Sequence, residues 1–135
     1  MGNLLQYKLG DKRVLNKIAS DEVVKAYAEL SGDKNPIHID DEYAKKSRFG
    51  ARIAHGLFCQ AMVSNLIGTQ LPGNGAILTD EKINFKKPVY IGDNIKCVCE
   101  IIKIDYDKSR CVVAFDCINQ NEESVFAGEA GVYML

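Results

Sequence analysis

The sequence predicts an α+β domain in which helices precede a run of antiparallel strands. Apolar residues recur at helical spacing in the first half of the chain. The second half is rich in β-branched and apolar residues divided by turn signals. A breaker cluster, LPGNG at residues 71–75, separates the two halves. This order indicates a helix packed against an antiparallel sheet.

The first helix is predicted to begin after Ser20, which precedes two acidic residues. Serine caps helices through its hydroxyl, and acids in the first turn favour the positive end of the helix dipole. Gly32 is predicted to end this helix, since glycine adopts the left-handed conformation of a C-terminal cap. The apolar residues at helical spacing are Val23, Val24, Tyr27, Ala28 and Leu30.

The segment after Gly32 contains Asn35-Pro36. Proline biases the residue before it away from helical geometry, so we expect a sharp loop or a fresh helix start over residues 33–38. Asp40 or Asp41 is expected to cap a short helix that runs through Ser47.

A buried helix is predicted over residues 56–70, GLFCQAMVSNLIGTQ, because this run is apolar on nearly all sides. Such a helix has little polar surface to offer water. Its residues expected to be available for burial are Leu57, Ala61, Met62, Leu66 and Ile67.

Four strands are predicted after the breaker cluster, separated by turn signals at residues 92–93, 107–109 and 120–122. Lys87-Pro88 is expected to interrupt the sheet between the first two strands, since proline cannot donate to a strand ladder. The predicted strands cover residues 76–85, 94–104, 110–119 and 124–133.

Length and charge narrow the functional classes. A chain of 135 residues favours one domain, residues 1–135, because a second core would leave each unit small. The 17 basic and 18 acidic residues give a net charge of -1, which predicts neither a nucleic-acid nor a membrane partner. Residues 1–15 lack the apolar core of a signal peptide, and no apolar run is long enough to span a membrane, so a cytoplasmic protein is expected.

The five cysteines are odd in number and lie among apolar residues, which favours reduced thiols used as small core residues. Their spacing offers no four-ligand zinc set. We therefore predict no metal and no organic cofactor. The cysteines are Cys59, Cys97, Cys99, Cys111 and Cys117.

The candidate catalytic residues are Asp33 and His38, an acid and one of only two histidines within a short loop. A carboxylate and an imidazole that reach one water could take a proton from it and return one to a neighbouring carbon, as adding water to a double bond requires. The spacing alone favours a plainer reading, in which Asp33 caps a turn and His38 is an ordinary surface or core histidine.

The sequence around this pair changes the balance. Residues 27–64 resemble the MaoC-like dehydratase family, and specifically the (R)-specific enoyl-CoA hydratases called hydratase 2, through YAELSGDKNPIH and the later AHGLFCQAMVS. The stretch KINFKKPVYIGDNI also looks like this family at Phe85, Pro88-Val89 and Gly92-Asp93. The resemblance covers nearly the whole chain.

The resemblance implies a hot-dog fold, in which a curved antiparallel sheet wraps a long central helix. It also implies hydration of short-chain trans-2-enoyl-CoA to (R)-3-hydroxyacyl-CoA. Asp33 and His38 would then hold the reacting water, with Asp33 as the base for attack at C3 and His38 as the donor to C2.

Three further residues are expected to support this chemistry. A helix start offers unpaired N–H groups to a developing oxyanion, and the resemblance gives this role to Gly56, although without the resemblance an ordinary glycine at a helix start explains it equally well. Asn35 matches the family's motif asparagine and would order the loop, although turn chemistry explains it equally well. Ser64 matches a serine near the water in some relatives, although bonding to its own helix is nearly as plain an explanation. His55 is expected to be structural, tying the loop to the helix start.

A homodimer is expected, since one sheet around one helix leaves an exposed edge and proteins resembling this one join their sheets. Other functions stay open. They are a dehydratase acting on acyl carrier protein, a hot-dog thioesterase, and a non-catalytic module that binds acyl-CoA.

Overall fold

The computed structural model describes residues 3–135. Its four α-helices are α1 (Asp21–Ser31), α2 (Pro36–Ile39), α3 (Asp41–Lys45) and α4 (Phe58–Thr69), and a single 3-10 turn covers Leu4–Gln6. Its strands are β1 (Lys12–Ile18), β2 (Ala76–Phe85), β3 (Asn94–Asp105), β4 (Arg110–Ile118) and β5 (Ser124–Met134).

The strands form one antiparallel sheet in the order β1-β3-β4-β5-β2. Helix α4 packs against β1, β2, β3 and β4, so the sheet lies around it. The predicted α+β class is confirmed, and all four predicted strands are present with bounds within one residue. Strands β1 and β2 form the two edges of the sheet.

The prediction that helices come first was incomplete, because β1 precedes α1. This strand carries three cations in seven residues and buries none of its side chains fully. It therefore shows no alternation of apolar and polar positions from which a strand could be predicted.

The first helix begins and ends where the sequence predicts. The Ser20 hydroxyl accepts from the Val23 N–H at 3.2 Å, and Gly32 closes the helix at φ 77° in the left-handed region. One apolar position was wrong, since Leu30 is 86% exposed. The short helix α3 is capped by Asp40, whose carboxylate accepts from Tyr43 N–H at 3.0 Å, and it ends at Lys45, before the expected Ser47.

Helix α4 is buried along most of its length, as predicted. The positions expected to be buried were wrong for Leu57 and Ala61, which are exposed. The side chains that α4 buries are Phe58, Cys59, Met62, Val63, Leu66 and Ile67. All five cysteines are buried with free thiols, as the apolar neighbours of each predicted.

No helix within residues 3–135 combines the length and apolar character needed to cross a membrane. The expected cytoplasmic location stays a prediction. So does the single domain over residues 1–135, which includes Met1 and Gly2, outside the described residues.

Candidate active site

The end of α1 places Asp33. Gly32 turns the chain out of the helix, and the Ser31 hydroxyl accepts from the Asp33 N–H at 3.0 Å. One Asp33 carboxylate oxygen, Oδ1, accepts from Asn35 N–H at 3.2 Å. The turn-capping role that the plainer reading gave to Asp33 is therefore present. It occupies one oxygen and leaves Oδ2 of this exposed residue free for a second partner.

Helix α2 places His38. Asn35 caps this helix, as its side chain accepts from Ile37 N–H at 3.3 Å, and Pro36 holds the first helical position. The His38 ring is buried, and its Nδ1 lies 2.7 Å from the Ile53 carbonyl oxygen. Because a carbonyl only accepts, Nδ1 carries the hydrogen, and Nε2 is the nitrogen free to exchange a proton with a ligand.

The two histidines of the chain lie together. His55 is buried and its Nε2 donates to the Asp33 carbonyl oxygen at 2.9 Å, so the expected tie between loop and helix start is present. The His38 and His55 rings stack with centroids 3.9 Å apart. One ligand atom from each of Asp33, His38 and His55 lies within 4.8 Å of the other two.

This spacing suits a shared water. A single water can bridge two side-chain atoms that lie up to about 5 Å apart, because hydrogen bonds of about 2.8 Å meet at its oxygen. The fold therefore brings a carboxylate and an imidazole within the reach of one water, which the residue types alone could not establish.

Gly56 lies in the turn two residues before α4, which begins at Phe58 and not at the predicted residue 56, and this helix begins without a side-chain cap. Within the described part of the chain, no backbone or side-chain acceptor bonds the exposed Gly56 N–H. A Cβ at residue 56 would lie 2.9 Å from Cε1 of Phe85, so the aromatic ring and a side chain cannot both occupy this space. The helix start thus leaves an uncovered donor beside the cluster.

Ser64 is not joined to Asp33 by any hydrogen bond among residues 3–135. It is exposed two turns into α4 and lines a cavity of about 230 Å³ between α4 and β2, together with Ile67 and Leu78. A larger open groove of about 710 Å³ on the sheet contains none of the predicted site residues. The supporting role expected of Ser64 stays a prediction.

Comparison with known proteins identifies the family. The family model described as a MaoC like domain matches residues 9–120. The chain belongs to this family.

Curated relatives of this MaoC-like protein are hydratases and dehydratases. It is 37% identical over 123 residues to the 3-hydroxybutyryl-CoA dehydratase of Methylorubrum extorquens, covering 91% of this chain and 78% of the relative. It is 38% identical over 126 residues to the mitochondrial 3-hydroxyacyl-acyl-carrier-protein dehydratase of Arabidopsis thaliana, covering 91% and 75%. This MaoC-like protein is accordingly a hydro-lyase.

A solved structure agrees over nearly the whole chain. The (R)-hydratase from A. caviae involved in PHA biosynthesis superposes with a TM-score of 0.92 at 32% identity, covering 96% of this chain and 98% of that one. The predicted hot-dog fold and the resemblance to (R)-specific enoyl-CoA hydratases are confirmed by this match.

Asp33, His38 and His55 form the one group within residues 3–135 whose ligand atoms could together hold a metal ion. One nitrogen of each ring already donates to a carbonyl oxygen. The ligands available to a metal ion would thus be the second nitrogen of each histidine and the Asp33 carboxylate. No such site was expected from the sequence.

Arg52 is a site residue that the sequence analysis missed. It is buried, and its guanidinium donates to the His38 carbonyl oxygen at 3.2 Å and to Asp41 at 2.8 Å, and also pairs with Asp21. One side chain therefore joins α1, α2 and α3 beneath the loop. Its only sequence signal is a lone charge in the apolar run ARIAHGLF.

The ion pairs of Asp21 shift its acidity. Hydrogen bonds from Lys25 and Arg52 hold the pKa of the Asp21 carboxyl below its ordinary value. In turn, the Asp21 carboxylate raises the pKa of Arg52. Burial of the guanidinium makes this network sensitive to loss of either partner.

Asp21→Asn is expected to lower the free energy of unfolding, and the difference from wild type should depend on pH. Since the folded-state pKa of Asp21 is depressed, its stabilisation is complete above the unfolded value of about 3.9 and is lost as the pH falls below it. Urea unfolding from about pH 7 down to about pH 3 measures this, and the difference between the two proteins should shrink toward the acid end. The exposed Asp107→Asn is the control, and a difference that does not change with pH would show that the ion pairs contribute nothing.

Proposed function

We propose that the chain catalyses reversible (R)-specific hydration of short-chain trans-2-enoyl-CoA to (R)-3-hydroxyacyl-CoA. The observation that supports this most directly is the convergence of Asp33 and His38 within 4.8 Å beside the uncovered start of α4. The Methylorubrum relative is named for a 3-hydroxybutyryl-CoA substrate, and the A. caviae structure is named an (R)-hydratase.

The proposed reaction moves two protons through the pair. In the active form Asp33 is a carboxylate and His38 carries hydrogen on both ring nitrogens. Asp33 takes a proton from the water as the water oxygen bonds to C3, and His38 Nε2–H gives its proton to C2. The pair ends with its proton on Asp33, and return of that proton to His38 Nε2 restores the starting state. Nδ1 stays bonded to the Ile53 carbonyl throughout.

Attack at C3 places negative charge on the thioester oxygen. The Gly56 N–H is proposed to donate to that oxygen, assisted by the positive end of the α4 dipole. The absence of a side chain at residue 56 allows the Phe85 ring to pack against the backbone beside this N–H. Asn35 contributes by capping α2, the helix that carries His38, and so helps to fix the position of His38.

Asp33→Asn and His38→Gln should each lower kcat for crotonyl-CoA about 100-fold or more, because each removes a proton-transfer group with little change in size. Loss of the enoyl-thioester ultraviolet absorbance measures the rate, and an (R)-specific 3-hydroxyacyl-CoA dehydrogenase identifies the product. Asp107→Asn, an exposed aspartate in a turn, is the matched control and should retain wild-type activity.

The same assay separates the other functions. Release of free thiol without hydration would indicate a thioesterase. Activity only on crotonyl-acyl carrier protein would indicate the carrier-protein dehydratase that the Arabidopsis relative is named for. Binding of crotonyl-CoA without turnover would indicate a binding module, and near wild-type rates in either variant would contradict the assigned pair.

We also propose that two copies pair through the β2 edge. Its exposed apolar side chains include Ile77 and Phe85, and Phe85 lies against Gly56, so such a dimer would enclose the site. The charged residues of the other edge strand, β1, are all positive, and of these Lys12 pairs with Glu100, whereas β2 carries Asp80, Glu81 and Lys82. Charges of both signs can face each other across a two-fold axis.

Ile77→Asp is expected to weaken this dimer about 30-fold or more, since it introduces unpaired charge into an apolar contact that the symmetry repeats. Val14→Asp on β1 is a matched control, because Val14 and Ile77 are both 46% exposed. Sedimentation equilibrium reads the association directly. A monomeric wild type, or equal weakening by both substitutions, would contradict the β2 interface.

A further inference from the structure

We propose that His55 is a positioning residue for the reaction, which holds the main chain of Asp33 with its Nε2 and the ring of His38 with its face. This inference rests on the proposed function, because it assigns His55 a task in the acid/base pair. His55 touches both members of that pair without being needed for a proton-transfer step.

The first contact fixes Asp33. The His55 Nε2 bond to the Asp33 carbonyl oxygen, at 2.9 Å, is the one hydrogen bond in residues 3–135 that joins Asp33 to a residue outside 31–35. Asp33 is otherwise exposed and held only by its own turn. Without this bond the carboxylate would have no anchor to the helix start where the thioester is proposed to lie.

The second contact fixes the ring of His38. The centroids of the His38 and His55 rings lie 3.9 Å apart at an interplanar angle of 28°. Tyr27 in turn packs against His55, with ring centroids 4.5 Å apart. The Ile53 carbonyl holds one ring edge of His38 through Nδ1. An edge contact alone would allow the ring to pivot about that bond, and the stacked face of His55 removes this freedom.

His55 carries a buried nitrogen without a hydrogen-bond partner, and the loss of stability that this causes argues against a purely structural role. Since Nε2 donates to a carbonyl, Nδ1 of the neutral ring is an acceptor, and this buried atom has no hydrogen-bond partner among the described residues. An unpaired buried polar atom destabilises a fold. A phenyl ring would fill the same space without that cost, but it could not donate to Asp33.

The charged and titratable groups around His38 are limited. Arg52 reaches its carbonyl oxygen, and the carboxylates of Asp21 and Asp41 face Arg52 rather than the ring. The titratable groups that lie near the ring itself are Asp33 and His55. Substitutions at His55 therefore test position without removing a neighbouring ion pair.

Two variants separate the two contacts. His55→Phe keeps a stacked ring and loses the donor, whereas His55→Gln keeps a donor and loses the ring. Both should lower kcat for crotonyl-CoA about 10- to 100-fold while KM changes less than about threefold, because misplaced catalytic groups slow the chemical step. If His55 only filled space, its substitution would lower the stability of the protein without lowering kcat more than KM changes.

Ring nitrogen-15 spectra provide a second readout, since the chain has two histidines and each variant leaves only His38. At alkaline pH, His38 should remain the Nδ1–H tautomer in wild type and in His55→Phe. It should become a mixture of tautomers in His55→Gln, where the stacked face is gone. In wild type, His55 should be the Nε2–H tautomer.

Wild-type kcat in both variants, or an Nδ1–H tautomer for His55, would overturn the proposal. If one variant fails to fold, the other variant and the wild-type spectrum still decide it. Absence of hydration by the wild type would defeat the proposed function instead, and the wild-type tautomer of His55 would still test the contact.

Discussion

The hydrogen bonds between the loop 33–38 and the segment 52–55 are the constraint on which the site depends. Ile53 N–H donates to the Ile37 carbonyl at 3.2 Å, and the Ile53 carbonyl accepts from His38 Nδ1 at 2.7 Å. Arg52 and His55 add bonds to the carbonyls of His38 and Asp33. Backbone and side chain thus fix both proposed catalytic groups against the start of α4, so little reorganisation is needed when substrate binds.

The fold supplies the rest of the site by leaving one helix end open. Helix α4 is buried against the sheet, yet its start at Phe58 has no side-chain cap, and Gly56, two residues before it, is exposed. Elsewhere the chain caps its helices with Ser20, Asn35 and Asp40. Among the α-helices of residues 3–135, the uncapped one thus starts where the proposed reaction needs donors to an oxyanion.

Local signals explain what the sequence could predict. The first helix has the predicted bounds because a serine and a glycine act on neighbouring backbone groups. Strand β1 could not be predicted, since an edge strand rich in cations buries too little to show a pattern. The burial expected of Leu30, Leu57 and Ala61 was wrong, because helical spacing identifies an apolar face but not what packs against it.

Only part of the site could be predicted from the sequence, for the same reason. Asp33, His38 and Asn35 could be selected because they lie in one short motif. Arg52 pairs with Asp21 across 31 positions, and no local pattern reports a contact of that range. The stacking of His38 on His55 likewise depends on how two segments meet, so His55 could be expected to tie the loop but not to contact the second proposed catalytic residue.

Hydration of crotonyl-CoA in deuterium oxide tests the central claim most directly. In the proposed mechanism Asp33 and His38 act on one water from one side, so the hydroxyl at C3 and the deuterium at C2 should arrive on the same face of the double bond. The account predicts a single syn diastereomer of the (R) product, read by proton NMR of the isolated thioester. Anti addition, or a mixture of the two diastereomers, would contradict a shared water held between the two residues.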